Sequence, residues 1–179
     1  MIESINTERA IQLAKDQFGK TLSEISEKNP VMLVFLRHFG CTFCREAVSE
    51  ISKNRSKITA DGTEIAFVHM GIEEQANAFF LKYNVEDASR FSDPGKRLYE
   101  AFGLGRGSLT QLIGPKVALR GVSAFFSGHG IGPIVGDSMQ MPGTFLVYRG
   151  KIVKAFVNIT AGDRPNYMEL SKCDVPACA

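Results

Sequence analysis

Two thiols stand two residues apart in Cys41-Thr42-Phe43-Cys44. Such a pair can exchange electrons as dithiol and disulfide, contribute to a metal site, or simply pack. The thiolate is the reactive form. A cysteine at the first turn of a helix faces unpaired N–H groups and the positive end of the macrodipole, which brings its pKa down from about 8.5 into a range of about 3.5–7.5. Cys41 gains most from that position, so it is the expected attacking thiol. Cys44, one turn further in, is expected to be shielded and able to close a disulfide onto Cys41. Cys173 and Cys178 form a second spaced pair. Four thiolates can hold zinc, yet a structural zinc usually stands in for a hydrophobic core that a chain of 179 residues builds by itself, so no metal and no organic cofactor is expected. His38, three residues before Cys41, either bonds to backbone or tunes the thiolate as a neighbouring base or imidazolium. Arg45, directly after Cys44, and Arg37 are candidates for polarising a substrate, although a charge flanking a helix start is usually solvated.

The elements around the pair follow from periodicity. Val31 to Arg37 is a short apolar run bounded by Pro30 and Gly40, as expected of a strand buried on both faces. After Cys41 the period changes, and Cys44, Ala47, Val48 and Ile51 form the stripe of a helix lying on that strand. Glu64 to Met70 and then Glu73 to Tyr83 repeat the pattern as strand and helix, which implies a parallel β-α-β unit. Upstream, a helix capped by Thr7 is expected to present Ile11, Ala14 and Phe18 and to stop at Gly19. Downstream, Phe91 ends a short edge strand, Asp93 caps a helix with Pro94 at its first position, and Gly103 ends it. Thr144 to Tyr148 and Lys151 to Val157 predict an antiparallel hairpin, with a closing helix around Tyr167 to Lys172.

Composition narrows the function classes. The chain has 44% apolar and 22% charged residues, as expected of one globular domain, 1–179. Its 21 basic and 19 acidic side chains are spread along the chain, which disfavours nucleic acid and anionic lipid as partners. No apolar run approaches the roughly 20 residues that span a bilayer, and the first residues lack a signal-peptide pattern, so a cytoplasmic location is expected. Residues 103–138 form a glycine-rich excursion containing a helix-like stretch, Lys116 to Phe126. Gly103-Leu104-Gly105-Arg106-Gly107 follows a helix and lacks a Lys-Ser or Lys-Thr ending, which argues against a phosphate loop. Past the hairpin, the Cys173/Cys178 tail is expected to be mobile, with a second disulfide sterically available; its thiols are either exposed ends with no catalytic part or a dithiol that passes electrons to the Cys41–Cys44 disulfide.

The strand followed by Cys41-x-x-Cys44, the β-α-β unit and a hairpin introduced by Met141-Pro142 resemble the thioredoxin superfamily. The narrower resemblance is to the peroxiredoxin-like branch of the alkyl hydroperoxide reductase/thiol-specific antioxidant family. It is carried by Gly19-Lys20-Thr21-Leu22, by Phe35 through Glu46, by Ser92-Asp93-Pro94, and by Gly136-Asp137 leading to Gln140 through Phe145. The resemblance implies an α/β thioredoxin-like fold, a mixed central sheet flanked by helices. It also implies Cys41 as nucleophile, Cys44 as resolving partner, a cis-Pro142 facing the pair, and the freed backbone of Met141 as a dock for an extended substrate. Two departures bear on activity. Val34 and His38 stand where typical peroxiredoxins have proline and threonine, and Pro142 stands where they have an arginine that helps polarise the O–O bond. The expected function is therefore thiol–disulfide exchange with a disulfide substrate and a protein dithiol reductant. A thiol peroxidase acting on hydrogen peroxide or lipid peroxides is the first alternative, and a non-catalytic thioredoxin-like binding module the second.

Overall fold

A computed structural model of the chain describes residues 6–114, 117, 132 and 136–174. Its centre is a five-stranded sheet in the order β3-β2-β1-β4-β5, made of β1 (Val31–Phe35), β2 (Glu64–His69), β3 (Ser89–Ser92), β4 (Gly143–Tyr148) and β5 (Lys151–Val157). The first three strands run parallel, β4 pairs antiparallel with β1 and β5 antiparallel with β4, so the sheet is mixed and helix-flanked, the thioredoxin-like arrangement.

Period-two alternation in β1 feeds two cores. Met32 and Val34, with Ile65 and Phe67 of β2, pack against α3 (Thr42–Lys53) and α5 (Glu73–Lys82) through Cys44, Val48, Ile51, Ala76 and Phe80. Val31, Leu33 and Phe35 face the other way, onto α1 (Thr7–Leu13), α2 (Leu22–Lys28) and α6 (Arg97–Ala101) through Ile11, Leu22, Leu98 and Tyr99. Every residue of β1 is buried. A strand covered on both faces cannot shift register without exposing one core, so its C-terminal end, where the cysteine turn begins, is held firmly.

Several boundaries differ from the sequence expectation for physical reasons. The first helix is capped by Asn6, whose side chain accepts from the Arg9 N–H, and it stops at Leu13. Phe18 is exposed, and Gly19 takes a left-handed turn at φ +81°. The residues after Gly19 form α2, a helix absent from the periodicity reading. Its signal is the capping box Thr21-x-x-Glu24, in which each side chain satisfies the other residue's N–H. Asp93 does cap α6, accepting from the N–H groups of Arg97, Leu98 and Tyr99. Pro94 and Gly95 nevertheless lie in the preceding turn, with Lys96 left-handed at φ +57°, so Pro94 is not the first helical residue.

The remaining helices with described bounds are α4 (Arg55–Ile58), α7 (Leu109–Ile113) and α8 (Tyr167–Leu170). Apart from Val117, the expected helix at Lys116 to Phe126 lies outside the described residues.

Tyr99 carries a structural role close to the cysteines. It is fully buried, and its hydroxyl donates to the carbonyl of Leu36, just past the end of β1, with the Val68 carbonyl 3.2 Å away. Tyr99→Phe is expected to cost about 1–2 kcal/mol by leaving a buried carbonyl without its donor. Urea unfolding checks this: the midpoint should fall while the m-value stays unchanged.

Candidate active site

The chain leaves β1 at Phe35 and turns through residues 36–40, and Cys41 becomes the N-cap of α3. The Cys41 N–H donates to the His38 carbonyl at 3.0 Å, and the Cys41 carbonyl accepts the Arg45 N–H at 3.0 Å. The turn is packed from outside by Phe39, whose ring lies 4.5 Å from that of Phe79 in a stacked pair. It also fits against Gly71, where a Cβ would meet the Phe39 ring at 2.5 Å.

Cys41 and Cys44 are both free thiols and both buried. Their titrations are driven apart. The Cys44 S–H donates to Cys41, and the Arg37 guanidinium and the N–H groups of Phe43 and Cys44 add to that stabilisation. Together they outweigh burial and bring Cys41 from 9.0 down to about 6. The same hydrogen bond, burial and the neighbouring Cys41 charge push Cys44 well above the ordinary thiol range. At neutral pH the pair is therefore one thiolate and one thiol, with Cys41 poised to attack and Cys44 holding the proton.

Arg37 is the group that inspection of the sequence undervalued. Rather than being solvated, it is 7% exposed. Its backbone N–H donates to Cys44 Sγ at 3.2 Å, its Nη1 lies 3.5 Å from Cys41 Sγ, its Nε donates to the Gln140 carbonyl at 3.0 Å, and its Nη2 donates to the Ser138 carbonyl. Arg37 lies past the end of β1, so strand alternation carries no signal for its burial, which follows from the distant carbonyls it reaches. Ser138 and Gln140 carried no such signal, since they contribute through their backbones.

The other expected residues take different places. His38 is buried beside the pair, but burial and the adjacent Arg37 charge lower its pKa to about 4, so near neutral pH it is a neutral imidazole and not an imidazolium. Its Nδ1 has no hydrogen-bond partner among the described residues. Arg45 Nε donates to the Phe39 carbonyl at 3.0 Å, and its guanidinium crowds Gly132, so it braces the turn. Pro142 lines the same small cleft as Cys44, about 30 Å³, together with Phe43, Ala47, Thr144 and Asn158.

The Met141–Pro142 peptide is not cis, against expectation, since the described residues hold no cis bond. Nor is the Met141 backbone free. Its N–H donates to the Gly105 carbonyl and its carbonyl accepts from Gln140 Nε2, because the 138–141 segment is sewn to residues 104–107. Cys173 is disulfide-bonded and packs against the core that holds Cys44; Cys178 lies outside the described residues.

Comparison with known proteins agrees with this architecture. A sequence profile of the AhpC/TSA family matches residues 9–156. The prostamide/prostaglandin F synthase of Salmo salar is 31% identical over 156 residues, covering 84% of this chain and 77% of the relative. Among solved structures, a mutant peroxiredoxin Q of Xanthomonas campestris superposes with a TM-score of 0.60 at 15% identity, covering 85% of this chain and 84% of its own. The dsbF protein of MTB superposes with a TM-score of 0.53 at 15% identity, over 93% of this chain and 94% of its own.

Proposed function

Since the chain belongs to the AhpC/TSA family and is a thiol-dependent oxidoreductase, we propose that it is a thiol–disulfide oxidoreductase cycling Cys41 and Cys44. The observation that carries this reading is the asymmetry of the pair, one sulfur held as thiolate and its neighbour held as thiol. The Cys41 thiolate attacks one sulfur of a disulfide RSSR and expels RS⁻. Cys44 then attacks Cys41 Sγ, its proton passing to a leaving thiolate. The balance is Cys41-S⁻ + Cys44-SH + RSSR giving the Cys41–Cys44 disulfide, RS⁻ and RSH. A protein dithiol is the fitting reductant for the return step. A cytoplasmic setting belongs to the same reading, since the dithiol needs a reducing pool.

One observation favours a second reading. The guanidinium of Arg37 beside Cys41 Sγ supplies a cation near the reacting sulfur, the kind of group whose loss elsewhere in the chain argued against peroxide chemistry. In that reading the Cys41 thiolate attacks a peroxide oxygen, the O–O bond breaks and the distal oxygen leaves as an alcohol or water after taking a proton, and the resulting sulfenic acid condenses with the Cys44 thiol to the disulfide and water. A lipid endoperoxide is a related O–O substrate, and the Salmo salar relative is named for the synthesis of a lipid product, prostamide or prostaglandin F.

Mass spectrometry of reduced protein mixed with a small disulfide, and separately with hydrogen peroxide, decides between them. Disulfide exchange is expected to be the faster reaction, with the first adduct on Cys41 and an internal disulfide following. A faster reaction with peroxide makes the peroxidase reading the correct one, and inertness toward both leaves a binding module.

A further inference from the structure

Arg37 touches two things at once. One end of its guanidinium meets the nucleophilic sulfur at 3.5 Å, and the other holds the carbonyls of Gln140 and Ser138, about a hundred residues away in sequence. No carboxylate among the described residues forms an ion pair with this buried arginine. The Cys41 thiolate is thus its counter-charge, and a buried cation that loses its counter-charge is costly to keep where it is.

We propose that Arg37 is a redox-sensitive latch: in the dithiol form it joins the Cys41 thiolate to residues 138–140, and closure of the Cys41–Cys44 disulfide removes its counter-charge and loosens that segment. The proposal rests on the dithiol cycle above and adds a consequence to it. Oxidation withdraws two electrons from the pair and leaves both sulfurs neutral, so nothing anionic among the described residues remains against Nη1. The guanidinium then keeps only neutral carbonyl partners and is drawn toward water.

What moves with it is defined by the hydrogen bonds of the segment. Gln140 Nε2 reaches the carbonyls of Leu104 and Gly105, the Met141 N–H reaches the Gly105 carbonyl, and the Gly107 N–H reaches the Met139 carbonyl. Pro142, next in the chain, forms a wall of the cleft at Cys44. A signal written in the charge of one sulfur is therefore carried to one wall of the cleft and to the turn at 104–107.

Hydrogen exchange read by mass spectrometry on peptides spanning 137–142 and 104–108 tests this in the full chain, reduced and oxidised. In the wild type, oxidation is expected to speed exchange in both peptides at least about fivefold. In Arg37→Met the rates are expected to be fast in both states. The Cys41 titration, read by thiolate absorbance, should move upward from about 6, so that the thiolate fraction at pH 7 falls. A merely structural arginine would change exchange without moving that titration.

Arg37→Lys, which keeps the charge but loses the fork, is expected to retain part of the low titration and lose the redox difference in exchange. Equal exchange in the two redox states of the wild type overturns the latch, whether or not either variant folds. So does a redox difference that persists in a folded Arg37→Met. If peptide mapping of the oxidised protein finds no Cys41–Cys44 disulfide, the dithiol cycle itself is wrong and the latch falls with it, which separates the two failures.

Discussion

Cys44→Ala is expected to abolish turnover, by at least about a hundredfold, while a single equivalent of substrate still reacts and remains attached to Cys41. Cys41→Ser is expected to abolish both events. The difference follows from the division of labour between the sulfurs. Without Cys44 nothing resolves the adduct, and Cys41 also loses the S–H donor that is the largest contribution to its low pKa. The surviving single reaction should accordingly shift to higher pH, its midpoint rising from about 6 toward the ordinary thiol range. Intact-mass analysis after one mixing cycle, repeated across pH, measures both effects. Sustained turnover in Cys44→Ala would mean that another thiol resolves the adduct.

Acid is expected to destabilise the fold strongly, through two histidines buried as neutral rings. His69 is 1% exposed, lies against Phe39 and Phe80, and has neither ring nitrogen hydrogen-bonded among the described residues. Burial lowers its pKa from 6.5 to about 4, as burial and Arg37 do for His38. The sign follows from linkage. The unfolded chain takes up these protons from about pH 6.5 and the folded chain only near pH 4. Stability is therefore fully present above 6.5, is lost as pH falls from 6.5 to about 4, and is flat below. A depression of that size corresponds to on the order of 3 kcal/mol per histidine, a large share of a typical domain's stability. Cys41 acts in a separate window, with stability lost between 9.0 and about 6. Urea unfolding at pH 7.5, 6.5, 5.5 and 4.5 reads the slope, and His69→Gln should flatten it. A constant stability between 6.5 and 4.5 would show that these rings are protonated in the folded protein.

The frame of the site was legible because its signals are local. The β-branched and aromatic run at residue 31, the stripe Cys44, Val48, Ile51 and the glycine and proline boundaries each follow from the chain's own periodicity. What escaped depends on pairs far apart in sequence. Whether Arg37 is solvated or buried turns on the carbonyls of Ser138 and Gln140, and no spacing rule reports a backbone acceptor from another segment. The same distance problem explains Met141, whose backbone looked free because its partner, Gly105, belongs to a turn read only as glycine-rich. α2 was missed for a different reason. Only 7 residues long, it offers two turns of periodicity, and its cap carried the information.

The fit of the Phe39 ring against Gly71 ties two positions on different segments into one evolutionary unit. A side chain at 71 would displace Phe39, two residues ahead of the nucleophile, and with it the turn that presents Cys41. Position 71 can therefore enlarge only in a lineage where position 39 has already shrunk. That order passes through an intermediate with a void beside the nucleophile and the reverse order through a clash, so both single steps carry a penalty and only the paired change preserves packing. Covariation between 39 and 71, rather than invariance at either, is the trace that this contact would leave in a diverging set of descendants.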